Sequence, residues 1–214
     1  PDEFVTTWKT DNSGVTASNQ IRIPTVGGGY NYTVDWGDGN TTSGHTGDAT
    51  HTYGTSGTYT VKITGTFPRI YFNNSGDKEK ILSVEQWGTN QWTSMNAAFR
   101  RAEKLVVNAM DAPDLSNVTD MSYMFCGARL FNSNINHWDV SHVTSMNNLF
   151  ANCNSTTIFN QPLNNWDVSN VTDMNSMFFG NNSFNQNINS WNTSNVTDMR
   201  NMFVGTSFNQ PLNN

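Results

Sequence analysis

The sequence predicts an N-terminal all-β sandwich followed by a solenoid of short parallel strands and short helices. Three observations carry this. A Val-Thr-(Asp/Ser)-Met string recurs at 118–121, 143–146, 171–174 and 196–199, at steps of 25, 28 and 25 residues. Trp138, Trp166 and Trp191 keep the same register. The first 72 residues lack the repeat and carry β-branched and aromatic runs in alternation.

In the N-terminal part, residues 30–36 and 59–67 read as strands, and Trp36-Gly37-Asp38-Gly39-Asn40 between them is a tight-turn signal. His51-Thr52-Tyr53 and Ser56-Gly57-Thr58-Tyr59-Thr60-Val61 add extended segments. Asp35 and Asp38, with Asp48 nearby, offer hard oxygens of the kind calcium takes. The competing reading is turn-forming Asp bonded to local amides. Calcium is the one cofactor the sequence suggests, and no dense ligand spacing accompanies it.

Residues 73–77, Asn-Asn-Ser-Gly-Asp, read as a turn-rich connector, so the expected division is 1–76 and 77–214. Charge changes there too. Residues 1–104 hold ten acids and nine bases, whereas 105–214 hold seven Asp against Arg129 and Arg200. Within the second part, 77–115 reads as a cap with two degenerate coils (Val84, Trp87, Thr89, Trp92; Met110, Pro113, Leu115, Val118), and 116–214 as regular repeats.

Each repeat has two halves. The first places Ile135, Trp138, Val140 and Val143, or Leu163, Trp166, Val168 and Val171, where a short strand with one buried face needs apolar residues. The second changes period. Met121, Met124 and Phe125 stand at i, i+3 and i+4, as do Met146, Leu149 and Phe150, and the two later copies, which predicts one face of a short helix. Thr119, Thr144, Thr172 and Thr197 fall where an N-cap belongs. Gly127, Gly180 and Gly205 fall where such a helix ends. A second anchor follows at Phe131, Phe159, Phe184 and Phe208. All nine methionines lie in the repeat lattice and are read as core. The 28-residue unit carries a loop insertion within 152–158. The string at 208–212 opens another repeat, so further coils are expected to follow.

Residues between the buried ones of the first half point outward. They form columns: Asp114, Asp139, Asp167 and Asn192; Ser116, Ser141, Ser169 and Ser194; and, before the Trp, His137 and Asn165. Stacked carboxylates repel unless something compensates. Serine hydroxyls and backbone amides would do so; a bound cation or a basic partner is the functional alternative. Asp114, Asp139, Asp167, Asn192, His137, Asn165, Ser141 and Ser169 are therefore the candidate ligand surface. Asn117, Asn170 and Asn195 match a glycosylation pattern, but are read as satisfying backbone groups at the turn.

Other classes find no support. The net charge of −6 over 214 residues gives no basic footprint for nucleic acid. No apolar run is long enough to span a membrane. His45, His51, His137 and His142 show no metal-ligand pairing or nucleophile context, and the chain is not expected to be an enzyme. Cys126 and Cys153 lie about one repeat apart; both a bridge between coils and two buried thiols fit that spacing. With Pro1 first and no export signal visible, the natural start is expected to lie upstream.

The string Phe159-Asn160-Gln161-Pro162-Leu163-Asn164-Asn165-Trp166-Asp167-Val168-Ser169-Asn170-Val171-Thr172-Asp173-Met174 resembles the BspA-like leucine-rich-repeat surface proteins, the DUF285 repeat. The resemblance runs from about residue 81 onward. It implies a leucine-rich-repeat-like solenoid on a secreted or surface-attached bacterial protein, engaged in adhesion to a protein or glycan of a host or neighbouring cell. Residues 30–67 resemble a PKD domain, an immunoglobulin-like sandwich that commonly serves as a spacer. The expected function is an extracellular adhesion or protein-interaction module. The alternative is a carbohydrate-binding or spacer segment of a secreted hydrolase, which exposed aromatic platforms would favour.

Overall fold

A computed structural model describes residues 2–213. Its eight strands are β1 (Phe4–Lys9), β2 (Gln20–Ile23), β3 (Asn31–Asp35), β4 (Thr41–His45), β5 (Ala49–Thr52), β6 (Thr58–Thr66), β7 (Ile81–Gln86) and β8 (Val106–Val107). Six form one sheet in the order β4-β3-β6-β1-β7-β8, while β2 and β5 pair separately, giving a sandwich-like N-terminal part. The Trp36–Asn40 turn joins β3 to β4, closed by the Trp36 amide on the Asn40 carbonyl at 3.0 Å. Gly37 and Gly39 supply its positive φ.

β1 pairs antiparallel with β6 on one side and with β7 on the other. β7 then pairs in parallel with β8, so the sheet itself leads into the repeats. One hydrophobic core runs from Phe4 to Met202 without interruption. The 73–80 segment is pinned rather than loose, because Asp77 and Lys80 are both fully buried.

The expected solenoid of strands and helices is not what forms. Among the described residues there is no helix, and beyond β8 no strand, only single parallel bridges linking Gln91 to Asp114, Asp120 to Ser145, Ser145 to Asp173 and Asp173 to Asp198. The protein is all-β, and its repeats are runs of turns. In the Met121–Ala128 stretch every second amide closes an i→i+3 turn: Met124 on Met121, Cys126 on Tyr123, Ala128 on Phe125. The amides between them cross to the following repeat: Met121 to Ser145 (3.0 Å), Tyr123 to Asn147 (2.9 Å), Phe125 to Leu149 (3.1 Å) and Gly127 to Ala151 (2.8 Å). The same alternation recurs from Met95, Met146 and Met174.

A helix would keep all those amides within its own segment. Five residues make barely one turn, too short to nucleate a stable helix. Pairing half the amides with the neighbouring repeat satisfies them instead. It goes with a left-handed residue at Ala97 (φ 52°), Tyr123 (61°), Asn148 (54°), Ser176 (55°) and Asn201 (60°), and with a second four residues on at Arg101, Gly127, Gly180 and Gly205. The i, i+3 apolar spacing survives because an i→i+3 turn also brings those side chains onto one side. The threonines expected as N-caps bond across repeats: the amide and hydroxyl of Thr144 both donate to the Thr119 carbonyl, and Thr172 and Thr197 continue the series.

The stacked interior is aromatic. Phe99, Phe125, Phe150, Phe178 and Phe203 form one column, with ring centroids 6.0, 6.0, 5.7 and 5.9 Å apart. Phe131, Phe159, Phe184 and Phe208 form a second beside it. Within each repeat the two rings stack at 3.9, 4.0, 3.7 and 4.2 Å. Spacings under 6.5 Å with near-parallel rings are the offset arrangement that aromatic quadrupoles favour. Seven methionines lie in this core, but Met110 is 94% exposed and Met199 42%. At Met110 the degenerate coil departs from the lattice. The neighbouring Asp111 carboxylate is anchored on the amides of Trp87 and Gly88, and the chain there turns Met110 to water.

Cys126 and Cys153 form a disulfide, with Cα atoms 5.6 Å apart. It ties the insertion loop to the preceding repeat, and Arg101 holds the same loop through the Cys153 carbonyl at 2.7 Å.

Candidate binding surface

The repeat corner that carries the candidate residues is built from one local device. A side-chain oxygen accepts the amide two residues on, an Asx turn. Asp114 takes Ser116 (3.0 Å), Asp139 takes Ser141 (3.0 Å), Asp167 takes Ser169 (3.0 Å) and Asn192 takes Ser194 (3.2 Å). Corners of adjacent repeats are then joined by asparagine. Asn170 donates to the Ser141 carbonyl and Asn195 to the Ser169 carbonyl, each at 2.7 Å. Both asparagines thus satisfy backbone groups, as expected for these positions.

Asp139, Asp167 and Asn192 are exposed, Asp114 is half-buried, and His137 and Asn165 flank them in water. His137 reaches only the Asp111 carbonyl, at 3.4 Å, while the Asn165 amide donates to Asn136 Oδ1. Ser141 and Ser169 lie half-buried behind the carboxylates. The hydrogen bond from the following serine side chain is the leading cause holding the Asp114, Asp139 and Asp167 carboxyls below the ordinary range, with the serine amide adding to it. Asp139 and Asp167 are close enough for the first to oppose ionisation of the second, but the serine bonds outweigh that repulsion. All three stay ionised at neutral pH. The amide bonds of all three use Oδ1.

Asp35, Asp38 and Asp48 do not converge. Asp35 accepts the Gly37 amide, Asp48 takes the amide and hydroxyl of Thr25, and Asp38 takes Asn40 and, at 2.8 Å, His51 Nε2. Among the described residues no three His, Cys, Asp or Glu side chains are grouped to hold a metal ion. Trp138, Trp166 and Trp191 are buried, the last two donating their indole N–H to the carbonyls of Ile135 and Leu163. They offer no aromatic platform.

A second ladder was not anticipated from the sequence. Asn96 donates to Asp120, Ser122 bonds Ser145, Asn147 donates to Asp173 and Asn175 donates to Asp198. The signal was a paired change: where Ser replaces Asp at 145, Ser also replaces Asn at 122 in the repeat before.

Fold and surface together define an all-β tandem-repeat protein, cross-linked by main-chain hydrogen bonds and presenting a polar, partly acidic corner. The family model described as "Mycoplasma protein of unknown function, DUF285" matches residues 69–157 and 153–214, and the chain belongs to that family. No curated protein and no solved structure matches the chain. Among the described residues no helix is long and apolar enough to cross a membrane.

Proposed function

We propose that this chain is an extracellular recognition module of a bacterial surface or secreted protein, binding rather than catalysing. It engages a partner bearing basic groups through the corner of Asp114, Asp139, Asp167 and Asn192, with His137 and Asn165 at its margin. The N-terminal sandwich serves as a PKD-like spacer that holds the repeats away from their attachment. The observation that carries the reading is the row of carboxylates repeated from corner to corner, each accepting the amide of the serine two residues on, with Asp139 and Asp167 exposed. A repeating acceptor array of one sign suits a polypeptide with spaced Lys or Arg. The disulfide between repeats agrees with an oxidising compartment.

The test is binding of fluorescently labelled chain to intact host and neighbouring bacterial cells, beside a glycan array. Asp139→Asn with Asp167→Asn is expected to fold normally, since Asn192 already makes the same turn, and to lose binding to cells. Undiminished cell binding by the double variant, or binding confined to the glycan array, would refute it.

A further inference from the structure

Two half-buried arginines, Arg69 and Arg100, carry charge that the protein does not answer. The chain is acidic, with a net charge of −6. Arg101 and Arg129 share Glu103, and Arg200 takes Asp198. Arg69 and Arg100 form no ion pair among the described residues. Each guanidinium lies over a tyrosine ring instead, Arg69 at 5.2 Å from the centroid of Tyr71 and Arg100 at 4.8 Å from that of Tyr123.

The same two segments bring the arginines together. Arg69 Nη2 donates forward to the Asn96 carbonyl at 3.5 Å. Arg100 Nη1 donates back to Asn73 Oδ1 at 3.0 Å, and the Asn73 amide is bonded to the carbonyl of Ala97. Both fixings therefore hang on successive residues, Asn96 and Ala97. The two Nε atoms are enclosed without an acceptor. The outer amino groups, Arg69 Nη1 and Arg100 Nη2, donate to nothing among the described residues. Two like charges held at one place repel unless a counter-charge joins them. Asp120, the carboxylate linked to Asn96, is used on Asn96 Nδ2 and on the Ser122 amide.

Tyr123 supplies a second, independent sign. Its φ is 61°, at the position that Asn148, Ser176 and Asn201 hold in later repeats. A bulky ring in left-handed backbone is strained, and such strain collects where a side chain is needed for recognition. The hydroxyls of Tyr71 and Tyr123 bond to nothing among the described residues.

We propose that Arg69 and Arg100 form an anion site whose ligand is a sulfate ester carried on an acidic carbohydrate chain. A carboxylate is planar and is met by one guanidinium fork, whereas a tetrahedral oxyanion takes donors from two directions. Guanidiniums held flat on aromatic rings are aimed before the ligand arrives, which lysine could not reproduce. Tyr71 and Tyr123, both half-buried, present ring edges and free hydroxyls to the adjoining sugar. The site lies on the turn segments and shares no residue with the acid corner.

The test is binding of the full chain to a heparin octasaccharide, followed by calorimetry beside the same sugar after desulfation and beside inorganic sulfate. The sulfated sugar is expected to bind saturably, and the desulfated one about tenfold more weakly or not at all. Arg69→Gln with Arg100→Gln should weaken binding about tenfold or more. Should that pair fail to fold, Arg69→Lys with Arg100→Lys keeps both charges and is expected to lose about threefold or more through the lost forks. Tyr123→Asn installs the residue found at 148 and 201, so the backbone is kept while the platform under Arg100 goes; binding should again fall. Equal binding of the desulfated sugar, or undiminished binding by the folded arginine and Tyr123 variants, overturns the site. Inorganic sulfate competing as strongly as the octasaccharide overturns the carbohydrate assignment. Cell binding at the acid corner is measured with the octasaccharide in excess, so that the two surfaces are read apart.

Discussion

Asp77 and Lys80, both fully buried, do not pair with each other; they meet on the hydroxyl of Thr16. Asp77 Oδ2 accepts that hydroxyl at 2.7 Å, and Lys80 Nζ donates to the same oxygen at 2.8 Å. The rest of each group is used on the 11–22 stretch. Asp77 takes the amides of Val15, Thr16 and Arg22, and Lys80 the carbonyls of Thr16, Ala17 and Gln20. The connector between sheet and repeats is thereby bolted to the loop before β2.

Removing one of these charges leaves its acceptors or donors buried without partners. Lys80→Met is expected to destabilise the protein by about 3 kcal/mol or more. Urea denaturation read by tryptophan fluorescence checks this; a loss below about 1 kcal/mol would show the clamp to be dispensable.

The corner carboxylates make stability depend on acid. Asp114, Asp139 and Asp167 have folded-state values depressed by their serine bonds, so their contribution is present above the unfolded carboxyl range near pH 4 and fades as pH falls through the folded values. Melting temperature should drop below about pH 4. The triple Asn variant, which keeps the turns but does not titrate, should show a shallower drop.

Position along the stack sets the cost of losing a ring. Phe150→Ala, with neighbours on both sides, is expected to cost about 3–5 kcal/mol. Phe208→Ala, half-buried at the last ring of its column, should cost less than half of that. Equal losses would mean that the columns do not act as stacks.

Backbone sign can be tested at Asn201, exposed and at φ 60°. Asn201→Gly should leave the melting temperature level or raise it. Asn201→Val, β-branched and ill suited to positive φ, should cost about 1–2 kcal/mol.

Reduction should be felt through the Cys126–Cys153 bridge. Closing a loop with a sequence separation of 27 residues corresponds to about 3.5 kcal/mol in the chain-entropy description. Thermal melts with and without reductant, and of Cys126→Ala with Cys153→Ala, measure it.

Much of this was legible in the chain. The register, the buried Trp, Val, Met and Phe positions and the outward column all follow from periodicity. Helix and turn ladder could not be told apart, because Met121, Met124 and Phe125 satisfy either. The deciding feature, a left-handed residue at 123, 148, 176 and 201, is carried by Tyr, Asn, Ser and Asn, of which only Asn hints at it. β1 escaped notice because Phe4, Val5 and Thr6 are buried in succession, so no alternation marks the strand. For the calcium reading, composition could not tell ligands from turn formers: Asp35, Asp38 and Asp48 each bond local partners, and no group of three such side chains is found among the described residues.

The division of amides between own turn and next repeat also governs how the molecule yields to tension. The main-chain bonds of the turn segments join one repeat to the next, so a pull from end to end loads every layer alike and is expected to open the weakest first. Each layer that gives way releases about 25 residues, roughly 85 Å of slack. Where Cys126 is joined to Cys153, most of that slack is withheld. One layer of the stack is thereby latched by oxidation.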